Sequence, residues 1–275
     1  MKNAFLAAVL LIAASVSLQA QKVNLSKGQK IETLSSTKMS MEVMGQNMEN
    51  EVMATANLEV KDQNSEGYVF ANTIRRITVK GTAMGQDINF DSDKKEDLDG
   101  QMGQAMKDKI NVPQEYKIDK AGKIVSLSSE GQNAGGGMGD MMNITGEMTK
   151  GQPFPFISPL AAKSVKPGDS WIDSSGTAET LKTITTYTLK SAGADGTVIG
   201  FTSKFAKNGT VQQNGMEIQM DIAGTQNGES TYDTGTGVLK TSASTSTITG
   251  NMSVMGQSIP INATVTSNTT AKKLL

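Results

Sequence analysis

The chain predicts an all-β protein, mainly antiparallel, and three observations carry that expectation. Apolar residues alternate with a period of two over most of the sequence, the signature of strands with one buried face. Glycine or Asn-Gly interrupts the alternation where hairpin turns are needed. The same sequence of core and turn signals also occurs twice. Leu25, Gly28 and Ile31 return as Val165, Gly168 and Trp171; Gly67, Tyr68 and Phe70 return as Gly196, Val198 and Phe201. Turns at Gly85 and Gly215 follow, and Asp119, Gly122 and Ile124 are answered by Asp233, Gly237 and Leu239. Two tandem related β units are therefore expected, forming a half-barrel, barrel or sandwich, with one short helix inserted.

In chain order, residues 1–20 hold Lys2 as their only charge, an apolar run from Ala4 to Leu18, and then Gln19 and Ala20. This reads as a secretory signal peptide cleaved after Ala20, too short for a membrane span. Residues 21–128 form the first unit. Met39, Met41 and Val43 alternate before the bend at Met44 to Gln46, and Val52, Ala54, Ala56, Leu58 and Val60 alternate after it. Ile74 and Ile77 are out of phase across Arg75 and Arg76, which predicts a bulge or a change of partner. From Lys94 to Ile110 the spacing of Leu98, Met102, Met106 and Ile110 becomes four, placing one apolar stripe on a helix that Gly100 and Gly103 weaken. The corresponding stretch in the second half, between Gln219 and Tyr232, is shorter, so the helix reads as an insertion into the first unit. Residues 129–152, rich in Gly, Asn, Gln and Met, read as a flexible connector, with the boundary between repeats near residue 150. The second unit occupies 153–275. It includes the alternations Met216, Ile218, Met220, Ile222 and Ile259, Ile261, Ala263, Val265.

Composition narrows the function. The chain has no His and no Cys among its 275 residues. It therefore lacks the usual general base near neutral pH, a thiol nucleophile, disulfides and the lipidated cysteine of a bacterial lipoprotein. Net charge is −1 and the signs are interspersed, so a nucleic-acid partner is not expected. Ser35 and Lys38 match a Ser-x-x-Lys spacing, but on a strand that spacing sends the two side chains to opposite faces. Asp91, Asp93, Glu96, Asp97 and Asp99 lack the calcium-loop spacing and fit a solvated helix start. Met138, Met141 and Met142 raise the chemistry of Cu(I), yet most of the 17 methionines sit in strand alternation as adaptable apolar filler. Trp171, the only tryptophan, reads as a core anchor. No catalytic residue, metal ligand or cofactor is assigned.

The segment Lys166, Pro167, Gly168, Asp169, Ser170, Trp171, together with Tyr116, Ile118, Asp119, Gly122 and Ile124 and the paired units, resembles a family of exported Bacteroidota proteins of unknown function. That resemblance implies no activity for any residue. More remotely, a leader followed by a long antiparallel sheet and a short Met-bearing helix is similar to the half-barrels of lipoprotein carriers, which wrap an apolar cavity. An extended antiparallel sheet with one apolar face must in any case curl or be covered.

The expectation from sequence is a non-enzymatic periplasmic or secreted protein. It would bind a lipid, another hydrophobic ligand or an apolar partner segment on a curved sheet, with no membrane-spanning segment in the mature chain. The residues assigned to that surface are Phe70, Ile74, Ile88, Phe90, Met102, Met106, Phe201, Phe205, Met216 and Ile218. The alternative is a structural or envelope-assembly protein with an envelope protein partner, a packed core and no small-molecule ligand. In that alternative the Ser- and Thr-rich strand from Thr241 to Thr249 forms a polar outer surface or an edge.

Overall fold

The computed structural model describes residues 23–43, 45–83, 86–128, 148, 150–160, 165–177, 181–213, 216–254 and 256–274. The leader at 1–20 lies outside the described residues, as does the 129–152 connector except for 148 and 150–152. The described chain forms β1 (Lys30–Val43), β2 (Gln46–Gln63), β3 (Gly67–Ala83) and β4 (Gln86–Asp91). After these come α1 (Lys95–Asp99), α2 (Gln101–Met106), β5 (Gln114–Asp119) and β6 (Ile124–Leu127). The second half contributes β7 (Ser170–Ser175), β8 (Lys182–Gly193), β9 (Gly196–Gln213), β10 (Met216–Tyr232), β11 (Leu239–Val254) and β12 (Gln257–Lys273). All twelve strands belong to one antiparallel open sheet.

The order across that sheet is β6-β5-β3-β2-β1-β12-β11-β10-β9-β8-β7, with β4 also paired to β3. The chain starts at the centre, meanders to one edge, crosses to the opposite edge, and meanders back until β12 pairs with β1. Ten inter-strand steps separate the edges, and at about 4.8 Å per step a flat sheet would hold them about 48 Å apart. Instead, Lys123, immediately before β6, and Asp173 in β7 form an ion pair at 2.7 Å. The sheet is therefore curled until its two edges meet at one end.

The structure corrects the helix and confirms the bulge. The stretch from Lys94 to Ile110 is two short helices, because Gly100 adopts extended angles, φ −75° and ψ 173°, that break the helical path. In the β2–β3 register Thr55 faces Arg76 and Ala56 faces Ile74, which leaves Arg75 as the extra residue. β4 and β5 both pair with β3, β4 along Thr78–Ala83 and β5 along Gly67–Asn72. Together they cover what the single strand β10 covers on β9, with both helices inserted between them.

The two meanders make matching contacts. Gly28 donates its N–H to Val60 and Gly168 donates to Leu189; Gly122 donates to Asp119 and Gly237 to Asp233. At Gly67 a Cβ would strike the Ile118 carbonyl oxygen, and at Gly196 one would strike Thr231. Both glycines have positive φ, 157° and 145°, so side chains are excluded by backbone angle as well as by space.

Burial follows the alternation. Outward positions on β10, including Gln219, Asp221, Thr225, Asn227 and Glu229, are exposed, whereas Ile218, Met220 and Ile222 are buried. This polar-out, apolar-in arrangement is the inverse of a lipid-spanning barrel, which turns its apolar band outward. Among the described residues, no helix is long and apolar enough to cross a membrane.

Candidate ligand-binding trough

Register assembles the concave face of the second meander in rows. One row runs Leu189, Ile199, Ser230, Ser242, Thr269, Ser35 across β8 to β12 and β1. The next runs Tyr187, Phe201, Gly228, Ser244, Ser267, Thr37. A third runs Thr185, Ser203, Gln226, Ser246, Val265. The outcome is a band of small hydroxyl side chains across the interior of the curl.

That band lies between two apolar regions. Toward the hairpin ends of β9–β12, Ile218, Met220, Ile222, Ile248, Met252 and Ile261 form one buried cluster with Phe205. At the other end, residues 152–160 cross the concave face as a floor. Phe154 is fully buried, with its ring 5.1 Å from Phe70 in a stack and 5.6 Å from Tyr116. The floor is tied to both meanders at equivalent turns: the Phe154 N–H donates to the Gly122 carbonyl and the Ser158 N–H to the Gly237 carbonyl, each at 2.8 Å. Pro153, Pro155 and Pro159 occupy positions in this crossing where no N–H is required.

Between floor and sheet is a cavity of about 350 Å³, within the range of about 300–1,000 Å³ usual for small-molecule sites. Phe154, Ile157 and the three prolines form its floor, and Tyr187, Phe201 and Phe205 form its aromatic wall. The hydroxyl band supplies the remainder, and every described lining residue is uncharged. The hydroxyls are already paired across strands. Thr185 with Ser203 and Ser230 with Ser242 each lie at 2.8 Å, and Gln226 donates to the Ser244 oxygen at 3.2 Å. The Tyr187 and Tyr232 phenols stay neutral. Burial is the main cause for both, and it pushes Tyr232 up to about 12.

The structure separates the residues that the sequence assigned to one surface. Phe201 and Phe205 line the cavity. Phe70 is packed against Phe154 beneath the floor. Ile74, Ile88, Phe90, Met102 and Met106 gather in a different cluster, where the helices cover β2–β4. Ile218 belongs to the cluster at the hairpin ends. Met216 begins β10, and its side chain lies outside the described residues.

Two sets of residues were missed. Gly224 faces Phe205 and Gly228 faces Phe201 across the β9–β10 register. A Cβ at either glycine would strike the phenyl ring, so the glycines give the rings room to lie over β10. The hydroxyl band is the second set, and here an expectation is corrected. The strand from Thr241 to Thr249 lies between β10 and β12, so it forms no edge; Thr241, Thr245, Thr247 and Thr249 do form a polar outer surface, while Ser242 and Ser244 on its other face line the cavity. The signal available was the alternation Ser242, Ser244, Ser246 in phase with buried Ile248.

Neither candidate for chemistry in the first meander assembles. Ser35 pairs with the Thr269 hydroxyl at 3.0 Å on the concave face, while Lys38 points the other way, 3.5 Å from Glu51. Asp91 is gripped by Arg76 through two hydrogen bonds of 3.0 and 2.7 Å, and Asp97 accepts the Asp91 backbone N–H. Trp171 is half-buried on the edge strand and stacks on Tyr187 at 5.5 Å.

The sheet is similar to part of a solved lipovitellin structure concerned with lipid–protein interactions. The TM-score is 0.51 and the identity 8%, over 92% of this chain and 26% of that one. This chain thus spans about a quarter of the lipovitellin chain. An outer membrane channel from Pseudomonas putida F1 aligns at TM-score 0.30 and 7% identity, over 94% of this chain and 100% of that one; at that score the likeness carries no weight. No curated protein matches the chain. Residues 141–239, which run from before the floor segment to the first residue of β11, match DUF6263, a family of unknown function.

Proposed function

We propose that this is an exported, non-enzymatic binding protein that holds one apolar or amphipathic molecule in the trough of β8–β12, above the 152–160 floor. The observation that carries this reading is the cavity of about 350 Å³ bounded by Tyr187, Phe201 and Phe205 on a sheet otherwise packed into buried clusters. An open trough of this size, walled on one side by aromatic rings and on the other by neutral hydroxyls, has the dimensions and the mixed lining of a small-molecule site. The likeness to a lipovitellin sheet in a structure concerned with lipid–protein interactions adds to the reading. The leader-like segment at 1–20 supports an exported, periplasmic or extracellular location. A chain without His or Cys fits binding better than acid–base or thiol chemistry.

The test is Phe201→Asp. The variant is expected to keep soluble β structure by circular dichroism and to lose uptake of a hydrophobic fluorescent probe. A buried carboxylate facing the trough is costly to desolvate and repels an apolar guest. Unchanged uptake would refute the assignment of the trough, and loss of fold would indicate that Phe201 is packing for a solid core.

A further inference from the structure

We infer that the occupant of the trough is an uncharged, single-chain amphiphile whose hydroxyl or ester head group lies on the Ser/Thr band. This inference rests on the binding reading above and specifies its ligand class. Three observations carry it.

The lining of the cavity is strongly polar along one side yet holds no Lys, Arg, Asp or Glu among the described residues. A carboxylate or phosphate head would need a cation or several N–H donors to replace its water. On the sheet side, β8 to β12 are each paired on both flanks, so their backbone N–H groups are already used. On the floor, Pro153, Pro155 and Pro159 have no N–H, and the N–H groups of Phe154, Ile157 and Ser158 are bonded to backbone carbonyls, so the side-chain N–H donors of the lining are the neutral amides of Gln152 and Gln226. Of the charged residues sharing the inward alternation, Asp173 stands beside the cavity opposite Thr185 but is neutralised by Lys123 at 2.7 Å, and Lys207 stands opposite Ile222 in the apolar rows.

The hydroxyls that do line the cavity suit a neutral head. Each Ser or Thr carries one donor and two acceptor sites, so the Ser230–Ser242 and Thr185–Ser203 pairs, which also meet the Tyr232 and Tyr187 phenols, retain acceptor sites for a ligand O–H, and Ser244, which accepts from Gln226, has its own O–H to offer a ligand carbonyl. Rotation of the hydroxyls adapts them to either without moving the backbone. The volume, about 350 Å³, is near the small end of ligand sites, which matches a single chain rather than bulk lipid.

The experiment is displacement of bound N-phenylnaphthylamine from the full chain by monooleoylglycerol, by oleate at pH 9 and by oleoyl lysophosphatidylcholine, each below its micelle threshold. These share one acyl chain and differ in head-group charge. Monooleoylglycerol is expected to displace the dye at concentrations at least about tenfold lower than either anionic oleate or the zwitterionic lysophospholipid. Ser244→Lys, which places a cation in the band, is expected to reverse the order in favour of oleate. Equal or tighter displacement by oleate or the lysophospholipid from the unmodified protein overturns the inference, and that comparison holds whether or not the variant folds. Dye binding that monooleoylglycerol fails to compete also overturns it while leaving the binding reading in place. Failure of the protein to bind the dye or any of the three lipids removes the binding reading itself.

Discussion

Phe201 and Phe205 owe their positions to residues with no side chain. Each ring lies over a cross-strand glycine, Gly228 or Gly224, that a methyl group would occupy, a pairing by which an aromatic compensates the weak packing of glycine in a strand. Both phenylalanines stand out in a sequence with few aromatics, whereas the glycines acquire meaning only once β9 and β10 are in register. At the far wall, residue chemistry sets an acid response. Arg76 grips Asp91 with two hydrogen bonds, and this, with the Asp93 N–H, holds the Asp91 carboxyl down at about 2 from its ordinary 3.8. A carboxyl that binds protons less readily folded than unfolded stabilises the fold above its unfolded value, and that contribution disappears as pH falls through the folded value. Thermal melts of the unmodified chain and of Arg76→Gln are therefore expected to differ above about pH 4 and to converge toward about pH 2. A constant difference across that window would show that Arg76 acts through packing alone.

Among the elements, the 152–160 floor decides whether the curl has an interior. It joins the two meanders through Gly122 and Gly237, and Phe154 inserts between Phe70 and Tyr116. Phe154→Ala removes a ring that is fully buried, and a loss of about 3–5 kcal/mol in unfolding free energy is expected for a truncation of this kind. Denaturant unfolding measures it, and a loss under about 1 kcal/mol would mean that the segment rests on the sheet without closing it. Strand existence was legible from alternation because a period of two is local. Strand neighbours were not. Nothing in Thr241 to Thr249 states that β12 will pair with β1 and leave β11 interior, and a Ser/Thr strand reads the same on an outer edge as along an inner trough. The helix at 94–110 shows the same limit on a smaller scale. Its stripe of Leu98, Met102 and Met106 was visible, whereas the extended angles at Gly100 that divide it were not.

At the scale of the whole molecule, one sheet is wound until its edge strands β6 and β7 are joined by the Lys123–Asp173 ion pair. The winding separates an exposed polar exterior from an interior in which apolar clusters flank a hydroxyl band. A sheet with one apolar face has to curl or be covered, and this one does both. Curling was expected from sequence. The division of the interior into a helix-covered wall and an open trough was not, so Ile74, Ile88, Phe90, Met102 and Met106 were grouped with Phe201 and Phe205 although they pack in a separate cluster. Sequence periodicity identifies a buried face but carries no information about which part of that face remains uncovered. The central claim is that the trough holds a small amphiphile, and native mass spectrometry of the protein isolated from its own cells, followed by organic extraction, tests it most directly. The account predicts a discrete mass above that of the chain, released into the organic phase as a lipid; a clean mass of the bare chain, with nothing extracted, would contradict it.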